Sequence, residues 1–122
     1  VEVGVGRRYD VAVGLVDAGV SVTATDVVDR DVPPEVRFVR DDIVTASERD
    51  EPGGVYEAEL IYGLNLPPEL HRPTLEVARA VDADFLFTTL GGDPPVVPCD
   101  VESVADGETV YVARGNGRYS DP

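Results

Sequence analysis

Apolar positions along the 122-residue chain switch between a strand period and a helix period, and the switches divide it into elements. Val1, Val3 and Val5 alternate as a strand that runs into Gly4 and Gly6. Tyr9, Ala12 and Val16 follow at helical spacing, so a helix is predicted over 7–18 with Gly19 as its stop. Val20 to Thr25 is predicted as the second strand, and Val36 to Val39, after the Pro33-Pro34 connection, as a short third strand ended by Arg40, Asp41 and Asp42. Charges and Pro52-Gly53-Gly54 mark 45–54 as a loop or short helix, and Ala58 to Leu64 reads as the fourth strand. Leu70, Thr74, Val77, Ala78 and Val81 make the i, i+4, i+7, i+8, i+11 stripe of a helix packed on a sheet. Pro73 would clash in a helix interior, so regular helix is expected to begin near it, after a turn from Pro67 to Arg72. Asp84 to Leu90 is predicted as the fifth strand and Thr109 to Ala113 as the sixth, reached through a Pro-rich loop and an acidic turn from Ala105 to Glu108.

Strands alternating with helices predict one α/β domain over 1–122. Right-handed crossovers make it Rossmann-like: an open, mostly parallel sheet with helices on both faces and a ligand crevice at the carboxyl ends of the strands. A chain that leaves a strand and turns sharply into a helix needs positive φ, which Gly4 and Gly6 tolerate. Asp26 ends the next strand twenty residues after Gly6, where a carboxylate accepts hydrogen bonds from ribose hydroxyls. A dinucleotide fingerprint requires a third glycine three positions after the second, and Tyr9 occupies that position, which disfavours a nicotinamide cofactor. The bland alternative is a plain strand-to-helix turn that binds nothing.

Composition narrows the function classes. The formal charge is −14, with 24 Asp and Glu against ten basic residues, all of them arginine. Such acidity, spread over the whole chain, suits a cytoplasm at multimolar salt, where the Debye length falls to about 3 Å and self-repulsion is screened. Nucleic acid is an unfavourable partner, because Arg7 with Arg8, or Arg114 with Arg118, are too few to neutralise a phosphate backbone. No segment has the apolar length of a membrane span or the look of a signal peptide, so a soluble, cytoplasmic chain is expected. A single cysteine, Cys99, and a single histidine, His71, exclude an intrachain disulfide and a Cys/His zinc site, so no metal is expected.

Glu2, two residues before Gly4, resembles the acidic residue of motif I in class I S-adenosylmethionine (SAM) methyltransferases, which helps hold the methionine part of the cofactor. In those enzymes an acidic residue after the third strand accepts from the adenine amino group, and Asp42, followed by apolar Ile43, matches that position better than Asp41. Asn65-Leu66-Pro67-Pro68 is a poor match to the Asn-Pro-Pro-aromatic motif of amino-methyltransferases, because Leu66 intrudes and Glu69 replaces the aromatic residue.

Val1 to Arg7, Ala24-Thr25-Asp26, Asp41-Asp42-Ile43, and Leu60-Ile61-Tyr62 followed by Pro67-Pro68-Glu69-Leu70 together resemble a small archaeal family of uncharacterised proteins. That resemblance implies a shortened methyltransferase-like fold with no established activity. Members typically carry an arginine and a further proline after the tyrosine, and here Gly63-Leu64-Asn65-Leu66 stands in their place. The family usually has a helix before the first strand. Without it an apolar face is expected to be bare and to drive homodimerisation. Three functions follow: a SAM-binding methyltransferase-like domain whose methyl acceptor is unspecified, with Glu2, Gly4, Gly6, Asp26, Asp42 and Ile43 on the cofactor; a non-catalytic nucleotide-binding or assembly module; or an NAD(P)-dependent enzyme.

Overall fold

Residues 1–104 and 107–113 are described by the computed structural model of the chain. Strands β1 (Glu2–Val3), β2 (Thr23–Asp26), β3 (Arg37–Arg40), β4 (Leu60–Gly63), β5 (Asp84–Phe87), β6 (Cys99–Ser103) and β7 (Thr109–Ala113) form one sheet in the order β3-β2-β1-β4-β5-β7-β6. All pairings among β1 to β5 are parallel, whereas β7 runs antiparallel to β5 and β6. The chain walks outward from β1 to β3, then returns to place β4 on the other side of β1. This reversal makes the β1/β4 boundary the topological switch point, where crevices open in such sheets.

Side-chain alternation distributes the apolar residues into two cores. Val3, Ile61, Phe85 and Phe87 face α2 (Ile43–Glu48) and α3 (Pro68–Val81), which supply Ile43, Ala46, Leu75, Val77 and Ala78. Phe87 is central there, with ring centroids 5.0 Å from Phe85, 4.5 Å from His71 and 5.4 Å from Tyr111. On the opposite face α1 (Asp10–Asp17) buries Ala12 against Val5, Val22, Ala24 and Val36. Helices thus lie on both faces, as the α/β reading expects. Over β4, β5 and β7 the α1 side carries Leu60, Tyr62, Leu64, Leu86 and Val110, which line an apolar groove of about 220 Å³ beside Val11 and Leu15.

Three local features depart from the sequence reading. The first is β6, a strand in the segment expected to be a loop. Its alternation places Cys99 and Val101 opposite Ala113 and Tyr111 while Asp100 and Glu102 point the other way, and with Ser103 three of its five residues are polar, so the hydrophobic signal is weak. The second is α3, which begins at Pro68 rather than near Pro73. Pro68 sits at the first helical position, where no amide is needed, and Pro73 forfeits a single rung. Five buried residues, His71, Thr74, Leu75, Val77 and Ala78, hold the helix across that gap. The third is α2, which starts at Ile43, two residues ahead of the loop or short helix expected over 45–54, because the Asp42 carboxylate accepts from the Val44 amide at 2.9 Å. Ala105 and Asp106 of the acidic turn, and Arg114 and Arg118, lie outside the described residues.

Candidate functional site

The carboxyl ends of β1 and β2 are joined by the glycine turn. Gly4 and Gly6 adopt φ of +69° and +61°, and the amides of Gly4 and Val5 both donate to the Thr25 carbonyl, at 2.9 and 3.0 Å. The Gly6 amide donates to Asp26 Oδ2 at 2.9 Å. Asp26 Oδ1 accepts from the amides of Val27 and Val28 at 2.7 and 3.4 Å, and Arg30 Nε closes the set on Oδ2 at 3.2 Å. Burial by itself would raise the pKa of this carboxyl, but the Gly6 and Val28 amides and the Arg30 guanidinium outweigh it and hold it below the usual Asp value. Asp26 is therefore an ionised, pre-oriented acceptor at the turn where the sequence placed it. Beside it Val27 and Val28 expose apolar side chains.

Glu2 lies in register with Tyr62 and Ala24, so the three side chains share the α1 face of the sheet. It is buried, and its Oε1 accepts from the Tyr62 hydroxyl at 2.9 Å. Burial pushes its pKa up to about 7, with the Tyr62 hydrogen bond pulling part of the way back. The Tyr62 phenol is raised in turn by its own burial and by the Glu2 carboxylate. The pair sits at the β1/β4 switch point, beneath the surface that the glycine turn presents.

Of the two acidic residues after β3, Asp41 serves the framework. It accepts from Arg49 at 2.9 and 3.3 Å and from the Tyr56 hydroxyl at 2.8 Å, tying β3 to α2 and to the 3-10 turn Gly54–Tyr56. Asp42 is exposed, with Oδ1 engaged in the α2 cap. Ile43 is buried in the core between α2 and the sheet, so its side chain packs inward.

At the end of β4, Asn65 takes φ of +49°, and its amide donates to Thr88 Oγ1 at 2.8 Å while the Leu66 amide donates to the Thr88 carbonyl at 2.8 Å. The ends of β4 and β5 are thereby stitched together, with the exposed Asn65 at the rim of the apolar groove. His71 is a framework residue: Nδ1 faces the Val96 amide at 3.2 Å, so it accepts, and Nε2 then carries the hydrogen donated to the Leu66 carbonyl at 2.9 Å. A larger cavity of about 620 Å³, lined by Val22, Thr23, Leu60 and Gly54, opens at the amino-terminal edge of the sheet, remote from the glycine turn. Strand polarity assigns the ligand crevice to the opposite edge.

Glu2, Gly4, Gly6 and Asp26 are thus brought together around β1 and β2, and Asp42 stands one strand further out on the same edge. Arg30 on Asp26 and Tyr62 on Glu2 are partners to which the sequence reading gave no role, and Thr88 lies at the strand end of β5, further along the same edge. Arg30 alone had a local signal, four residues after Asp26. Tyr62 and Thr88 arrive through strand pairing across 60 and 23 residues.

The model of the Uncharacterised protein family (UPF0146) matches residues 1–116. A UPF0146 protein of Halobacterium salinarum is 50% identical over 115 residues, covering 93% of this chain and 85% of the relative. Another, of Archaeoglobus fulgidus, is 46% identical over 94 residues, covering 76% and 68%. Among solved structures, the Burkholderia thailandensis 1,6-didemethyltoxoflavin-N1-methyltransferase, with bound 1,6-didemethyltoxoflavin and S-adenosylhomocysteine, superposes with a TM-score of 0.48 at 22% identity. That alignment covers 92% of this chain, which spans about half (52%) of the methyltransferase chain.

Proposed function

This chain belongs to the uncharacterised family UPF0146, and we propose that it binds SAM at the carboxyl ends of β1, β2 and β3 as a methyltransferase-like protein. The observation that carries this reading is Asp26: an ionised carboxylate at the tip of a parallel strand, bonded to the Gly6 amide of a positive-φ glycine turn. A carboxylate there suits the hydroxyls of an adenosine ribose, and exposed Val27 and Val28 offer apolar surface to the adjoining base. Asp42, exposed on the next strand end, is placed for the base's amino group. Tyr9 in place of the third glycine argues for SAM over a dinucleotide. Methyl transfer from a sulfonium needs in-line positioning above all, so a site without a strong base is compatible with it.

A second reading, a module that binds the nucleoside without catalysis, is favoured by the state of the acidic groups. Glu2 is buried under Tyr62, Asp26 is occupied by four donors and Asp42 caps α2, so none is poised as a general base. Thermal shift in multimolar potassium chloride with SAM, S-adenosylhomocysteine, NAD and ATP tests the ligand site that both readings share. A ligand at 100 times its dissociation constant adds about 2.7 kcal/mol to the folded state. A shift with the SAM pair that Asp26→Ala abolishes supports the proposal; no shift with SAM or S-adenosylhomocysteine refutes it.

A further inference from the structure

An ionised carboxylate offers about four lone-pair positions, and on Asp26 all four are filled. Three of the donors are backbone amides, of Gly6, Val27 and Val28, fixed by the turn and by the start of the β2–β3 connection. The fourth is Arg30 Nε at 3.2 Å on Oδ2, the single donor delivered by a side chain. Arg30 remains 25% exposed while Asp26 is 10% exposed, so the guanidinium is the more accessible partner of the pair.

We propose that Arg30 is a built-in occupant of the ribose-hydroxyl position, which fills the fourth acceptor position of Asp26 and must swing away when an adenosine-bearing ligand enters. This rests on the reading of Asp26 as the ribose acceptor. Arg30 then acts as a specificity-determining residue. Displacing Arg30 frees a single position on Oδ2, and only a ligand that brings a ribose hydroxyl to it recovers the cost of the displaced ion pair. Ligands with one hydroxyl removed are rejected more strongly than a solvent-open carboxylate would reject them. Salt screens partly exposed ion pairs, so the displacement is easier in multimolar salt.

The test is calorimetric titration of adenosine, 2′-deoxyadenosine and S-adenosylhomocysteine into the wild-type chain, Arg30→Ala, Arg30→Gln and Asp26→Ala, at low and at multimolar potassium chloride. Circular dichroism melts verify that each variant is folded. Removing the competitor is expected to tighten adenosine and S-adenosylhomocysteine about five-fold, the scale of a partly exposed ion pair of about 1 kcal/mol. The gain should shrink at high salt, and the preference for adenosine over its deoxy analogue should narrow in Arg30→Ala. Arg30→Gln, which loses the charge and keeps a donor, should fall between. Wild-type binding that Asp26→Ala abolishes but that Arg30→Ala weakens or leaves unchanged overturns the role of Arg30 and spares the ribose reading. Failure of all three ligands to bind any folded form overturns both.

Discussion

Gly6 and Asp26, twenty residues apart, are joined by an amide-to-carboxylate hydrogen bond of 2.9 Å across the ends of two neighbouring parallel strands. Through it the glycine turn and the acidic strand tip behave as one unit. The turn sets the direction of the carboxylate, and the carboxylate satisfies an amide that the positive φ of Gly6 directs away from α1.

Asp26→Asn should therefore destabilise the fold as well as weaken ligand binding. An amide in that position turns an NH2 group toward two of the four donors, at a cost of about 2 kcal/mol in urea denaturation. Asp26 is held below its usual pKa, so its contribution is fully present above the unfolded Asp value and is lost as pH falls through the lowered folded value. The gap between wild type and variant should close in acid. A gap that persists undiminished there would show that the charge is not what the donors recognise.

Glu2 has the opposite pH behaviour. Its folded pKa lies near 7 against an ordinary value of 4.5, so between those values the folded chain binds more protons than the unfolded one. Stability from this site is fullest below pH 4.5 and declines as pH rises to about 7, by up to about 3 kcal/mol. Glu2→Gln should come closest to wild type at about pH 4 and exceed it at pH 8, with the Tyr62 hydrogen bond retained through the amide oxygen. Parallel stability profiles for the two proteins across that range would contradict the assigned burial.

The glycines of the turn can be separated from an ordinary helical glycine. A Cβ added at Gly4, Gly6 or Gly14 meets no atom within 4 Å, so steric crowding does not distinguish them. Gly4 and Gly6 have positive φ, and alanine at either should cost about 1–2 kcal/mol. Gly14 is exposed within α1, and alanine there should add about 0.5–1 kcal/mol. Guanidinium denaturation of the three variants reads the contrast directly; equal effects would disprove the backbone argument.

Net charge supplies the fourth expectation. With 24 acidic and ten basic residues, transfer from multimolar to low potassium chloride should release unscreened repulsion. A loss of about 2 kcal/mol would lower the melting temperature by about 10 °C. A melting temperature independent of salt would mean that the acidity has some purpose other than tolerance of a saline solvent.

Read alone, the sequence yields the α/β class, the parallel strands β1 to β5, the glycine turn and the position of Asp26. These are local or periodic properties: alternation of apolar residues, glycines where positive φ is required, and a fixed spacing from turn to strand tip. It placed α3 but not its start, because the buried face that carries the helix across Pro73 comes from tertiary packing. It missed β6, since an edge strand with polar residues at alternate positions acquires its identity from β7 alongside it. Only the tertiary structure decided how Glu2, Asp41 and Asp26 are employed: one under Tyr62, one clamped by Arg49 and Tyr56, one filled by three amides and Arg30. Partners of that kind come from elements far apart in the chain, and a carboxylate's protonation and availability depend on what surrounds it in space.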